Sequence, residues 1–135
     1  MKVSVTRIRV RYAETDQMGY CYYANYFTWM EVGRSHLMRE AGKSYRQVEE
    51  EGFIFPVIEA HCNYKKPAKF DDLVEVKTWI TCLKSRKVTF NYEILRDGEL
   101  LVSGYTVHIP ISPEGRPIAL SKEILELLRP YHNGG

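Results

Sequence analysis

The sequence predicts an α+β domain in which an antiparallel sheet packs on one main helix. Helical spacing of apolar residues is sustained over one long stretch only, from Asn25 to Ala41. Strand-like segments precede it once and follow it four times. No strand alternates with helices in the way that builds a parallel sheet, so an antiparallel sheet laid on one helix buries both apolar faces most simply. A chain of 135 residues suits a single domain spanning 1–135, because domains cluster near roughly 100 to 150 residues. It contains no repeat, linker or low-complexity stretch.

Val3 to Tyr12 alternates, with Ile8, Val10 and Tyr12 the apolar side expected to be buried. Residues 13 to 23 lose all periodicity and include Gly19, so they form a loop. The helix follows, with Tyr26, Met30, Gly33, Leu37 and Ala41 on one face, Phe27 and Met38 flanking it, and Gly42 as its C-cap. At 1.5 Å per residue it is roughly 25 Å long and can lie along a strand of seven or eight residues. Gly33 costs about 1 kcal/mol of helix propensity. It is expected where a neighbouring backbone comes close. Ser44 with Gln47 three residues on predicts a capping box for a short second helix, closed by Gly52.

Strands then dominate. Phe53 to Tyr64 is the first, with Pro56 marking its beginning as an edge or bulge, and Lys65-Lys66-Pro67-Ala68 ends it. In Leu73 to Leu83 the apolar set is Val74, Val76, Thr78, Ile80 and Cys82, and in Lys87 to Leu95 it is Val88, Phe90, Tyr92 and Ile94. Asp97-Gly98 predicts a tight hairpin into the strand Leu100 to Ile111. Three prolines then mark a loop, and Ser121 caps a short helix to Leu128. His132 to Gly135 is expected to fray.

Composition excludes several classes of function. The 19 Lys and Arg exceed the 17 Asp and Glu by two, too few to bind nucleic acid by bulk charge. The N-terminus has no apolar segment of signal-peptide type, and no uncharged stretch is long or apolar enough to span a bilayer. Cys21, Cys62 and Cys82 are odd in number and widely spaced, which suits a reducing cytoplasm better than a disulfide scaffold or zinc site. No spacing matches a metal motif, and neither a metal nor another cofactor is expected.

The candidate chemistry gathers in Arg11 to Arg34. Asp16 sits in the loop ahead of the helix, a position where function concentrates. A helix N-terminus offers unpaired amides and partial positive charge, which stabilise a carbonyl oxygen that becomes negative during acyl transfer. A carboxylate beside it can act as nucleophile or as general base toward water. The competing reading is structural, with Asp16 as a turn residue and Asn25 capping the amides itself. Cys21 could pair with a histidine, but nothing places His36, His61, His108 or His132 beside it. His61 and His108 read as core or interface residues. Lys84 to Lys87, and Lys65-Lys66 with Lys69, are the basic clusters that would anchor a phosphorylated ligand. The tyrosines and Trp29 would line an acyl pocket or simply pack. Glu31 and Arg34 share a helical flank suited to a weak surface contact.

Tyr12, Thr15-Asp16, Gly19, Tyr23-Ala24-Asn25-Tyr26, Trp29, Glu31 and Arg34 form a spaced pattern that continues through Tyr64-Lys65-Lys66-Pro67-Ala68 and Asp71-Asp72. It resembles the hot-dog fold thioesterases, in particular the 4-hydroxybenzoyl-CoA thioesterase group and the acyl-CoA thioesterases linked to Tol-Pal clusters. The resemblance covers nearly the whole chain. It implies a hot-dog fold, a curved antiparallel sheet wrapped around one long helix, in homodimers or homotetramers with sites between protomers. It implies metal-free hydrolysis of an acyl-CoA thioester. Asp16 corresponds to the family's catalytic carboxylate, and the Tyr23 amide to the donor that polarises the thioester carbonyl. Arg86 and Lys87 correspond to a basic segment that meets the CoA phosphates.

The chain departs from that pattern in places. Many Tol-Pal-linked relatives carry histidine where this chain has Tyr23, and the 4-hydroxybenzoyl branch follows its tyrosine with proline rather than Ala24. Cys21-Tyr22 replaces a small aliphatic pair. Two other functions compete: a hot-dog hydratase or dehydratase, which relies on a histidine in the loop before the helix, and a non-catalytic acyl-CoA binding protein. No histidine lies between Arg11 and His36.

Overall fold

A computed structural model describes residues 1–134. Five strands, β1 (Ser4–Arg9), β2 (Val57–Tyr64), β3 (Leu73–Lys84), β4 (Lys87–Arg96) and β5 (Glu99–His108), form one antiparallel sheet in the order β1-β3-β4-β5-β2. Helix α1 (Asn25–Ala41) packs on this sheet, chiefly against β1 and β3. Two short helices, α2 (Tyr45–Glu50) and α3 (Lys122–Leu128), complete the domain.

The core forms where the apolar periods of helix and sheet meet. Tyr26, Trp29, Met30, Gly33, Leu37 and Met38 are buried along α1. Facing them are Val74, Val76, Thr78 and Ile80 of β3 and Val88, Phe90, Tyr92 and Ile94 of β4, each at most 1% exposed. A bulge between Ile80 and Cys82 shifts the register and leaves Cys82 half-buried rather than in that set. Gly33 is needed for close approach, but the neighbours are side chains and not backbone. A Cβ there would lie 2.6 Å from Thr78 Oγ1 and 2.8 Å from Val76 Cγ1. Asp97 and Gly98 both adopt positive φ, 49° and 80°, as the two-residue hairpin between β4 and β5 requires.

The caps fall where the side chains dictate. Ser44 and Gln47 exchange the two bonds of a capping box at α2, and Ser121 accepts from the Ile124 amide at α3. Gly42 ends α1 at φ 125°.

Two further expectations fail. Tyr12 is not a buried strand residue but 78% exposed, in a 3-10 turn over Tyr12–Glu14. The first strand ends early because Val10 bonds to Asp71 and Asp72 and the chain then folds around the Glu14 carboxylate. The tail is also tied down. His132 bridges alongside Ile80, and the Asn133 amide donates to the Ile80 carbonyl at 3.0 Å, along the stretch of β3 that β1 does not reach. Residue 135 lies outside the described residues.

The strand β2 has β5 on one side and no neighbour on the other among the described residues. Pro56 precedes it, and its register slips between Val57 and Glu59. Nearly all of its side chains are exposed.

Candidate active site

The loop between β1 and α1 is built on one buried carboxylate. Glu14 Oε1 accepts from the Arg11 amide at 2.8 Å, and Oε2 accepts from Trp29 Nε1 at 2.8 Å. Its backbone carbonyl accepts from Asn25 Nδ2 at 2.8 Å and from the Tyr22 amide at 2.8 Å. Burial alone would raise the Glu14 pKa, but the Arg11 amide, Trp29 Nε1 and the Arg11 guanidinium hold it below the ordinary carboxylate value. Glu14 therefore pins the loop to the first turns of α1. Two residues from Asp16 in sequence, it is set apart from it in role by the Trp29 bond.

Asp16 follows in a tight reversal. Its amide donates to the Tyr20 carbonyl at 2.8 Å, and Oδ1 accepts from the amides of Met18 at 2.9 Å and Tyr20 at 3.3 Å. The side chain is thus a turn residue as well, held through one oxygen. Its second oxygen has no partner among the described residues.

The entry of α1 is bare. Its N-cap is Ala24, which has no side chain able to accept. Asn25, the residue that could have capped it, spends its amide on Glu14 instead. Among the described residues the Tyr23 and Ala24 amides have no acceptor. That leaves donors and the positive end of a 17-residue helix open to a ligand.

Asp16 and Tyr23 line the same cavity of about 320 Å³, with Tyr20, Cys21, Tyr26 and Tyr64 in its wall and Lys65 and Lys66 at its rim. Tyr64 donates to the Tyr23 carbonyl at 3.1 Å, and the Tyr26 hydroxyl accepts from the Ala68 amide at 3.0 Å. These two tyrosines tie the end of β2 and the 65–68 turn to the helix entry. The signal for Tyr64 was its place at a strand end directly before Lys65-Lys66-Pro67. Lys66 pairs with Glu99 at 2.5 Å, whereas Lys65 has no acidic partner within 4 Å among the described residues.

The histidines and Cys21 fall as their surroundings dictate. Burial pushes the Cys21 thiol up to about 12, so it is no nucleophile at neutral pH. His108 is a core residue, bonded to Thr106 Oγ1 and facing the Phe55 carbonyl, and burial lowers it to about 4. His61 is exposed on β2 and stacks on Tyr105. No group of three or more His, Cys, Asp or Glu among the described residues is placed to hold a metal.

Arg86 and Lys87 are not brought to the cavity. They sit exposed in the β3–β4 turn, while the Asp16 loop sits at the start of β3, where Tyr20 bridges Lys69. The twelve residues of β3 lie between, roughly 35 to 40 Å of strand.

The sequence model of the thioesterase superfamily matches residues 18–103 of this chain. It begins two residues after Asp16 and includes Tyr23, Arg86 and Lys87. The chain is 41% identical over 124 residues to YneP of Bacillus subtilis, a candidate acyl-CoA thioesterase, with 90% of each chain covered. Among solved structures it is similar to a hypothetical protein of Thermus thermophilus, at 40% identity and a TM-score of 0.92 over 96% of this chain and 99% of that one. It is also similar to a DHNA-CoA thioesterase of Staphylococcus aureus, at 40% identity and a TM-score of 0.85 over 88% and 81%.

Proposed function

The chain belongs to the thioesterase superfamily, and from that premise we propose that it hydrolyses acyl-CoA thioesters with Asp16 as the reactive carboxylate and the Tyr23 amide as the carbonyl donor. The observation that carries this is the meeting, in one cavity, of a carboxylate with one oxygen unbonded and a helix entry that no side chain caps. The amide and the helix dipole would stabilise the oxyanion. Asp16 would activate water or attack the carbonyl itself. The bare entry favours turnover over simple binding, because donors at that point are worth most when charge develops. No histidine lines the cavity, which argues against a hydratase relying on one.

The Asp16→Asn variant tests this. Its Oδ1 can still accept both amides, so the loop should keep its shape, while thiol release from acyl-CoA should fall by about 10²- to 10⁴-fold. Turnover close to wild type would overturn the assignment.

We place Arg86 and Lys87 at the CoA phosphates of a neighbouring protomer. The open edge of β2, with Val57, Ile58 and Tyr64 at 44%, 55% and 45% exposure, supports pairing of two copies through this strand. Antiparallel pairing about a two-fold axis would set the Val57 end of one strand beside Tyr64 of the other. Val57 lies across β5 and β4 from the Arg86–Lys87 turn. The partner subunit's Arg86 and Lys87 would then come to the same end as Asp16. A homodimer, or a homotetramer made from two, is therefore the working unit we propose. Three free cysteines support a cytoplasmic setting, and among the described residues no helix is long and apolar enough to cross a membrane. The acyl group of DHNA-CoA, the substrate named for the Staphylococcus aureus relative, belongs in any substrate panel alongside short and long aliphatic thioesters.

A further inference from the structure

Tyr23 lies between two peptide groups, and each is held by its carbonyl. The Tyr22 carbonyl accepts from the Asn25 amide at 2.9 Å and from the Cys21 thiol at 3.5 Å. The Tyr23 carbonyl accepts from the Tyr64 hydroxyl at 3.1 Å. The first two bonds are local and belong to the turn that opens α1. The Tyr64 bond is of another kind, because it reaches the helix entry from the end of β2, 41 residues on.

A peptide group is planar and trans, so its carbonyl and its amide point in opposite directions. Holding the carbonyls on both sides of Tyr23 therefore restricts rotation of the chain there. Among the described residues it leaves the Tyr23 and Ala24 amides as the groups without acceptors. A free Tyr23 carbonyl would also be unfavourable in a cavity wall where a substrate oxygen gains negative charge. Its lone pairs would repel that oxygen, and the Tyr64 hydroxyl occupies one of them.

Tyr64 is suited to hold this bond. Its ring meets Tyr26 edge-on at 5.5 Å and Tyr23 at 6.4 Å. Tyr26 is itself fixed, its hydroxyl accepting from the Ala68 amide at 3.0 Å. Burial and the neighbouring Cys62 thiol push the Tyr64 phenol up from its ordinary value, so it keeps its proton and remains a donor at neutral pH.

We propose that Tyr64 is a positioning residue, whose hydroxyl holds the Tyr23 carbonyl so that the Tyr23 amide stays available to the developing oxyanion. This rests on the assignment of Asp16 and the Tyr23 amide under the proposed function. Because the oxyanion exists only in the transition state, loss of the hydroxyl should act on kcat and leave KM in place. A merely structural tyrosine would instead show itself in folding or in substrate binding.

The Tyr64→Phe variant tests this, since it removes one oxygen and keeps the ring contacts. With benzoyl-CoA and hexanoyl-CoA as probes, kcat on whichever the parent cleaves should fall by roughly three- to tenfold, as for one hydrogen bond. That is less than the roughly hundredfold or more expected for loss of the donor itself. KM, the melting temperature and the state of assembly should match the parent, and Tyr23→Phe, which keeps the carbonyl, should not show the fall. Isotope-edited infrared spectra of benzoyl-CoA, labelled at the thioester carbonyl and bound to Asp16→Asn, give a second measurement. Adding Tyr64→Phe should move the carbonyl band back toward its position in free benzoyl-CoA. Parental kcat in Tyr64→Phe beside a slowed Asp16→Asn would overturn the proposal and leave the Asp16 assignment in place. So would a loss of kcat that comes with a lower melting temperature or a raised KM, or a carbonyl band that does not move. If Asp16→Asn turned over like the parent while Tyr64→Phe was slowed, the Asp16 assignment would fall and the role of Tyr64 would stand.

Discussion

Tyr23 contributes two atoms to the proposed chemistry, and both are backbone. Its amide has no acceptor among the described residues, and its carbonyl is held by Tyr64 at 3.1 Å. The phenol is 60% exposed. Tyr23→Phe should therefore cost little in kcat, whereas loss of an oxyanion donor costs roughly a hundredfold or more. A fall of that size in steady-state kinetics would bring the phenol into the reaction. Glu14 makes a different kind of prediction. Its pKa is lower in the folded chain than the ordinary 4.5, so the unfolded chain takes up the proton first as pH falls. The stability it contributes is present above about pH 4.5 and is lost as pH drops through the folded value. Glu14→Gln should be less stable at neutral pH and should lose part of the acid dependence below that point. Thermal melts of both proteins across pH 3 to 7, an interval of about four units chosen to bracket the ordinary carboxylate value, would show parallel curves if Glu14 were not the group responsible.

At the scale of elements, α1 is held to the sheet by an absence of side chain. Gly33 sits over Val76 and Thr78, both fully buried, so neither can move aside for a methyl group. Alanine would normally gain about 1 kcal/mol inside a helix. Here overpacking should outweigh it, for a net loss on the order of 1 to 3 kcal/mol. Urea denaturation of Gly33→Ala reads this directly, and a variant as stable as the parent would mean that α1 can lift from β3. The position was legible as a glycine at a close approach. Which atoms approach was not, because the 3.6-residue period says which face is inward but nothing about which strand lies beneath it. The same limit appears at Tyr12, where alternation alone continued a strand that the Glu14 bonds bend into a turn.

For the molecule as a whole, the parts assigned to one reaction lie at opposite ends of a twelve-residue strand. If sites are shared between protomers, two variants that are both impaired at acyl-CoA concentrations well below KM should repair each other there. Asp16→Asn lacks the carboxylate, and an Arg86→Ala, Lys87→Ala double variant should show a raised KM with kcat largely kept. Mixed and allowed to exchange subunits, they should form hybrids with one intact site and recover up to about a quarter of wild-type activity, since random pairing makes hybrids half of all dimers. No recovery, with exchange verified by mass, would place the basic turn outside the site. Sedimentation of an Ile58→Lys variant gives an independent reading, because a charge on the open β2 edge should shift the assembly toward the monomer.

The residue pattern determined the α+β class, the order of the elements, the caps at Ser44 and Ser121, and the pairing of a loop carboxylate with a helix entry. Each depends on residues close together in the chain, where period, cap and turn rules act. Tertiary structure decided which of those residues meet. It turned the side chain of Asn25 away from the amides it could have capped, separated Glu14 from Asp16 by a bond to Trp29, and joined Tyr64 to Tyr23 across 41 residues of sequence. It carried Arg86 and Lys87 away from the carboxylate, and it set Arg34 beside the Tyr45 and Tyr92 hydroxyls where helix spacing suggested only a surface contact. Such contacts join residues far apart along the chain, and they exist only once the sheet register and the depth of α1 above it are set by packing.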